Sequence, residues 1–213
     1  MTLLAVMAFM AVFAVALLAV APSVQIDVQR EKELESIRRG EEIANAIKEY
    51  LIFNRGTKLP SSLDDLLEGL PDGTKKRQIL RPSATTDPLS EDGQWRLIGP
   101  DPQVIAAFAK RVQAHNNGLL PSSPEPTQYF DKYAVSLANV LNTETEDEAE
   151  DDEDFSVVTD NNPFIGVASQ SRGKSVLAYY GIENHSKWIF TPLFRGNGAS
   201  SIRPLAPPVR SGF

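Results

Sequence analysis

The chain opens with an apolar block and continues into a charged one. Met1 to Ala21 is almost wholly apolar, and no charge falls between Met1 and Gln25. From Gln25 to Asn54 the apolar residues recur at Leu34, Ile37, Ala44, Ile47 and Leu51, with Gly40 near the same stripe. Steps of three or four residues predict an amphipathic helix. Together the two blocks read as one helix, roughly 80 Å long at about 1.5 Å per residue. The first block matches a hydrocarbon core of roughly 30 Å and predicts a transmembrane half. Pro22 removes a helical hydrogen bond where that half ends, which predicts a kink there. Asn54-Arg55-Gly56 is a C-cap signature.

A secretory signal peptide is the competing reading of the first block. No basic segment precedes the apolar one, and the helical pattern continues past Ala19-Val20-Ala21-Pro22, the sequence closest to a cleavage site. Charge does not set the topology: Arg30, Lys32, Arg38 and Arg39 alternate with Glu31, Glu33, Glu35, Glu41 and Glu42.

Beyond the helix, Leu59 to Leu67 reads as a Pro turn and a short helix capped by Ser61 or Ser62, with Leu63, Leu66 and Leu67 inward. Asp72-Gly73 is a turn, and Lys75-Lys76-Arg77 reads as a solvated loop. Asp87-Pro88 and Asp92-Gly93 are turns before a short strand, Trp95 to Ile98. Val104 to Ala114 reads as a helix with Val104, Ile105, Phe108, Ala109 and Val112 on one face, and Gln128 to Leu141 as a weak one. Phe164 to Ser169 and Lys187 to Thr191 read as strands, with apolar Val176 to Tyr180 pairing with them or covering the core. Asn197 to Phe213, rich in Gly, Ser and Pro, reads as a mobile tail.

The opening resembles the mature N-terminus of type IV pilin-like proteins, in particular the pseudopilins of type II secretion. Met1-Thr2-Leu3-Leu4-Ala5 stands where that family has Phe-Thr-Leu-Leu-Glu, and Pro22 matches the family's Pro near the membrane exit. Pro60-Ser61-Ser62-Leu63 with Leu66, Asp87-Pro88 with Gly93 and Trp95, and Ile165-Gly166-Val167-Ala168-Ser169 with Trp188 look like later family elements in the same order. Gln29-Arg30-Glu31-Lys32-Glu33 matches a phrase that follows the anchor in one such group. The departure is Ala5, where most members place a Glu that neutralises a neighbour's N-terminal amine. A minor, tip-located or atypical subunit follows from it.

The resemblance implies an α+β fold, with a long transmembrane-plus-amphipathic helix packed on a small antiparallel sheet. It divides the chain into 1–22 in the membrane, 23–55 as the periplasmic half of the helix, and a globular part from 56–99 and 163–192. An insertion, 100–162, carries an acidic, disordered 143–156, and 193–213 is a flexible tail. The implied function is a structural subunit of a pseudopilus or pilus-like filament in the bacterial inner membrane and periplasm, reaching the outside as a filament. Its partners would be other pilin-like subunits, an inner-membrane assembly platform and the lipid bilayer. Met1, Leu3, Leu4, Ala5, Phe9, Phe13, Leu17, Leu18 and Pro22 would serve anchoring and assembly, and Met1 would be the processed and methylated residue. The alternative is an anchored periplasmic binding or scaffold module that never polymerises.

Composition narrows the rest. The chain has 213 residues and no Cys, which excludes disulfides and Cys-based metal or redox sites. Nine carboxylates fall between Glu144 and Asp154, and without them the net charge of −7 becomes about +2. No basic patch with interleaved aromatics points to nucleic acid. Gly173-Lys174-Ser175 ends like a phosphate loop, but Ala168 occupies the position of its first Gly. Ser171 and Lys174 have the spacing of a Ser/Lys nucleophile pair without its companion motifs. His115 and His185 lie among polar turn residues and read as surface groups. No cofactor or metal site and no enzyme is expected.

Overall fold

The computed structural model describes residues 2–120, 129, 133, 162–194 and 202–204, with side chains left out at residues 2, 4, 15–23 and 202–204. The fold is α+β. Helix α1, Thr2–Phe53, runs unbroken through Pro22. Its C-terminal half packs on small antiparallel sheets. Among the described residues no helix is long and apolar enough to cross a membrane.

α1 ends in a Schellman motif: Gly56 N–H donates to Leu51 O (2.8 Å) and Arg55 N–H to Ile52 O (3.1 Å). Arg55, at φ 51°, takes the left-handed position that Gly usually fills. Helix α2, Leu63–Leu67, is capped by Ser62, which accepts from Asp65 N–H. Asp65 reaches back to Ser61 N–H (2.9 Å) and Oγ (2.8 Å). Helix α3 is Pro102–His115, with Asp101 as its cap.

Among the described residues eight strands form three sheets. Strands β1 (Leu70–Asp72) and β2 (Lys75–Arg77) make a hairpin, so Lys75 to Arg77 is a fully exposed strand where the sequence suggests a loop. Strands β3 (Trp95–Ile98), β4 (Gly166–Ser169) and β7 (Ile189–Phe190) make the second sheet, with β4 in the middle. These are the three segments the sequence pattern predicts, paired with Trp95 opposite Ser169 and Val167 opposite Phe190. Strands β5 (Lys174–Tyr179), β6 (Ile182–Asn184) and β8 (Ile202–Pro204) make the third. β8 pairs Ile202 with Tyr179, so at least this part of the expected tail belongs to a sheet.

One core joins these parts. Ile37, Ile43, Ala44, Ile47 and Leu51 of α1 are buried with Val167 and Ala168 of β4 and Phe190 of β7. Gly40 lies against the Phe190 ring so closely that an added Cβ would sit 2.3 Å from Cδ2. Trp95 meets Phe190 edge-on at 5.8 Å, and each Trp indole N–H finds a carbonyl, Ala84 O for Trp95 and Ile182 O for Trp188. Ile105, Ala106, Phe108 and Val112 of α3 enter the same core, so this helix of the expected insertion is integral to the domain. Tyr129 and Tyr133 pack against it as well. The acidic 143–156, and the other residues of the expected second helix, lie outside the described residues.

Candidate functional site

The two halves of α1 present different chemistry. Leu3, Phe9 and Phe13 are 77%, 80% and 63% exposed, and Val6, Met7, Met10 and Val12 are exposed with them. At 100° per residue these positions cover about 220° of the helix circumference, and exposed Ala8 and Ala11 fall in the remaining arc. Ala5 is exposed among them and brings no carboxylate to that surface. Val24, Ile26 and Val28 carry exposed apolar groups past Pro22. Met1, and the side chains of Leu4, Leu17, Leu18 and Pro22, lie outside the described residues.

The other half begins with a polar surprise. The heptad-like seam that faces the domain runs through Glu33, Ser36, Ile37, Gly40, Ile43, Ala44, Ile47 and Leu51, all buried. Leu34, which the pattern places inward, is 40% exposed, and Glu33 beside it has no exposure at all. A buried carboxylate is tolerated only when it is fully hydrogen-bonded. Glu33 accepts from Val176 N–H (2.9 Å), Leu177 N–H (2.8 Å), Gln29 Nε2 (2.9 Å) and His185 Nε2 (2.9 Å). In a regular strand successive N–H groups point to opposite edges. Here β5 shifts register against β6 between Lys174 and Tyr179, and the irregularity turns two successive N–H groups onto one carboxylate. Burial pushes the Glu33 pKa up, but the hydrogen bonds from His185, Val176, Leu177 and Gln29 outweigh it and leave the group below its ordinary value.

The hydrogen bonds continue into a ring. His185 Nδ1 faces Ser171 Oγ at 3.3 Å. Ser171 N–H donates to Ser169 Oγ (3.1 Å), and Ser169 Oγ–H to Asp87 Oδ2 (2.6 Å). Asp87 Oδ1 accepts from Leu89 N–H and from Ser36 Oγ–H, both at 3.0 Å. Ser36 lies one turn after Glu33, so the ring starts and ends on the same face of α1. Glu33, Ser36, Asp87, Ser169 and His185 are all buried, with His185 only 3% exposed. The surface placement of His185 is thereby corrected: the η turn His185–Lys187 aims its ring inward, edge-on to Trp188 at 5.0 Å. His115 is half-buried and meets Tyr180 edge-on at 6.1 Å.

Outside the ring, α1 is held by ion pairs. Arg38 and Arg39 hold the Glu35 carboxyl at about 2, and Arg81 pairs with Glu42 and lowers it. Tyr179 donates its hydroxyl to Glu41 (2.5 Å). Among the described residues, no group of three or more His, Asp or Glu side chains is placed to hold a metal ion. Comparisons with family models, with curated proteins and with solved structures return no match.

Proposed function

We propose that the chain is a membrane-anchored structural subunit of the pilin-like kind, which assembles with other such subunits through the N-terminal half of α1. One observation carries the reading: a single helix is clothed by its own domain along one half and apolar on every side along the other. The apolar half is stable only in lipid or among other apolar helices. In lipid it anchors the chain in an inner membrane. When it leaves lipid, neighbouring helices bury one another's surface and a filament results. The resemblance of Met1 to Ala5, Pro22 and the three later elements to pseudopilins supports the same conclusion. Ala5 fits a minor or tip position better than a repeating one, because it leaves a neighbour's amine without a carboxylate.

Two measurements test this. The intact mass of the N-terminal peptide from native membranes should show a chain beginning at residue 1 with a methylated amine. A peptide beginning near Ser23, or one carrying an uncleaved basic leader, overturns the filament reading. The absence of Cys makes the second clean: Phe9→Cys or Phe13→Cys should cross-link between copies in cells. Monomers alone at every position from 3 to 18 would leave an anchored module that never polymerises.

A further inference from the structure

We infer that Ser171 is an activated nucleophile, paired with His185 as its base and Glu33 as the group that orients the base. Glu33, as a carboxylate, only accepts hydrogen bonds, so the proton of neutral His185 sits on Nε2, 2.9 Å from Oε1. Nδ1 then carries the lone pair, and it faces Ser171 Oγ at 3.3 Å. The polarity of the chain runs outward. Glu33 is unexposed, His185 is 3% exposed, and Ser171 is half-buried at the edge of a surface recess of about 450 Å³. Ser90, Asp92, Gln170 and Arg172 line the same recess. Backbone bonds hold the three elements in place: Ser171 N–H donates to Ser169 Oγ, His185 N–H to Gly173 O, and two β5 N–H groups to Glu33. Lys174, the partner suggested by the Ser171-x-x-Lys174 spacing, pairs instead with Glu183 at 3.4 Å.

A hydroxyl beside an oriented imidazole attacks acyl carbons. The recess is polar, so the acyl donor is a small ester with a polar end. Ser171 Oγ bonds to the ester carbonyl carbon while its proton moves to His185 Nδ1. The ester's C–O bond then breaks, and that proton goes to the departing alkoxide, leaving acyl-Ser171 and an alcohol. Water, deprotonated by the same imidazole, releases the free acid and restores the serine. This activity is independent of the assembly reading, and either can fail without the other.

The test uses the full chain in detergent and two small probes, a phosphonyl fluoride and p-nitrophenyl acetate, with modified serines mapped by mass spectrometry. Ser90 is the internal control, since it shares the recess but bonds to Asp92 and not to an imidazole. Ser171 should react at least about 100-fold faster than Ser90, the usual gain from a positioned base. His185→Asn should lower its rate to that of Ser90. Ser171→Ala should lose the label and keep a cooperative thermal transition, which covers the case in which the His185 variant fails to fold. A Ser171 rate within about threefold of Ser90 overturns the assignment, and so does acetylation that survives Ser171→Ala.

Discussion

The two halves of α1 share a helix but not a source of stability. From Glu33 onward the helix is held by the rest of the chain: a polar ring at Glu33 and Ser36, close backbone packing at Gly40, and an apolar seam to Leu51. From Leu3 to Phe13 the described side chains are exposed. The C-terminal half therefore belongs to the fold, and the N-terminal half to whatever surrounds it. Substitutions should separate the two cleanly.

The largest effect is expected at the ring. Glu33→Ala strands the buried N–H groups of Val176 and Leu177 and the His185 ring, and should cost about 3–5 kcal/mol of unfolding free energy in urea. A loss under about 1 kcal/mol would mean that the apolar seam alone holds α1. Next comes Gly40→Ala, where a methyl meets the fully buried Phe190 ring. Overpacking of about 1–3 kcal/mol should exceed the roughly 1 kcal/mol that Ala gains over Gly in a helix. Ser36→Ala removes one donor to Asp87, and about 1 kcal/mol is the expected loss.

Acid offers a graded version of the first experiment. The folded protein holds Glu33 below its ordinary value of 4.5. Its contribution is therefore complete above that value and drains away as pH falls through the lower, folded pKa. The urea midpoint should drop from pH 7 to pH 3, and the drop should shrink in Glu33→Gln. An equal drop in both proteins would assign the acid sensitivity to other carboxylates, such as Asp65, which Ser61 also keeps below its usual range. The smallest effect on folding is expected from Phe9→Ser and Phe13→Ser. Neither should shift the urea midpoint by more than about 0.5 kcal/mol. Both should weaken partition into bilayers and cross-linking between copies.

Periodicity made much of the fold readable. Ile37, Ala44, Ile47 and Leu51 lie on the inner face as their spacing requires, and Trp95, Val167 and Ile189 fall in strands that pair as expected. The polar ring was not readable, and the reason is local. Glu33 sits in a run of alternating charges that looks solvated, and Leu34 beside it looks like the better core residue. Glu33 lies four residues before Ile37, in step with the seam, and the groups that satisfy its carboxylate come from β5 and His185, far along the chain. His185 was missed in the same way: Asn184 and Ser186 flank it, and its burial comes from a short η turn against Trp188. β1 and β2 escaped notice because Lys75 to Arg77 faces solvent throughout, and an exposed ribbon has no apolar alternation to reveal it. The Ser171-x-x-Lys174 spacing pointed to this loop but not to its contacts: Lys174 pairs with Glu183, and Ser171 faces His185.

Glu33 and His185 are 152 residues apart. During synthesis the apolar half of α1 emerges shortly before the position that will fasten the helix to its domain. The groups that complete that fastening follow 143 to 152 residues later in the chain. Throughout that interval the N-terminal half has been made while the domain that restrains the rest of the helix is incomplete. Such long-range closure makes docking of the helix a late step of folding. Commitment of the apolar segment thus precedes completion of the globular part, and a chain released before β5 would keep the first capability without the second.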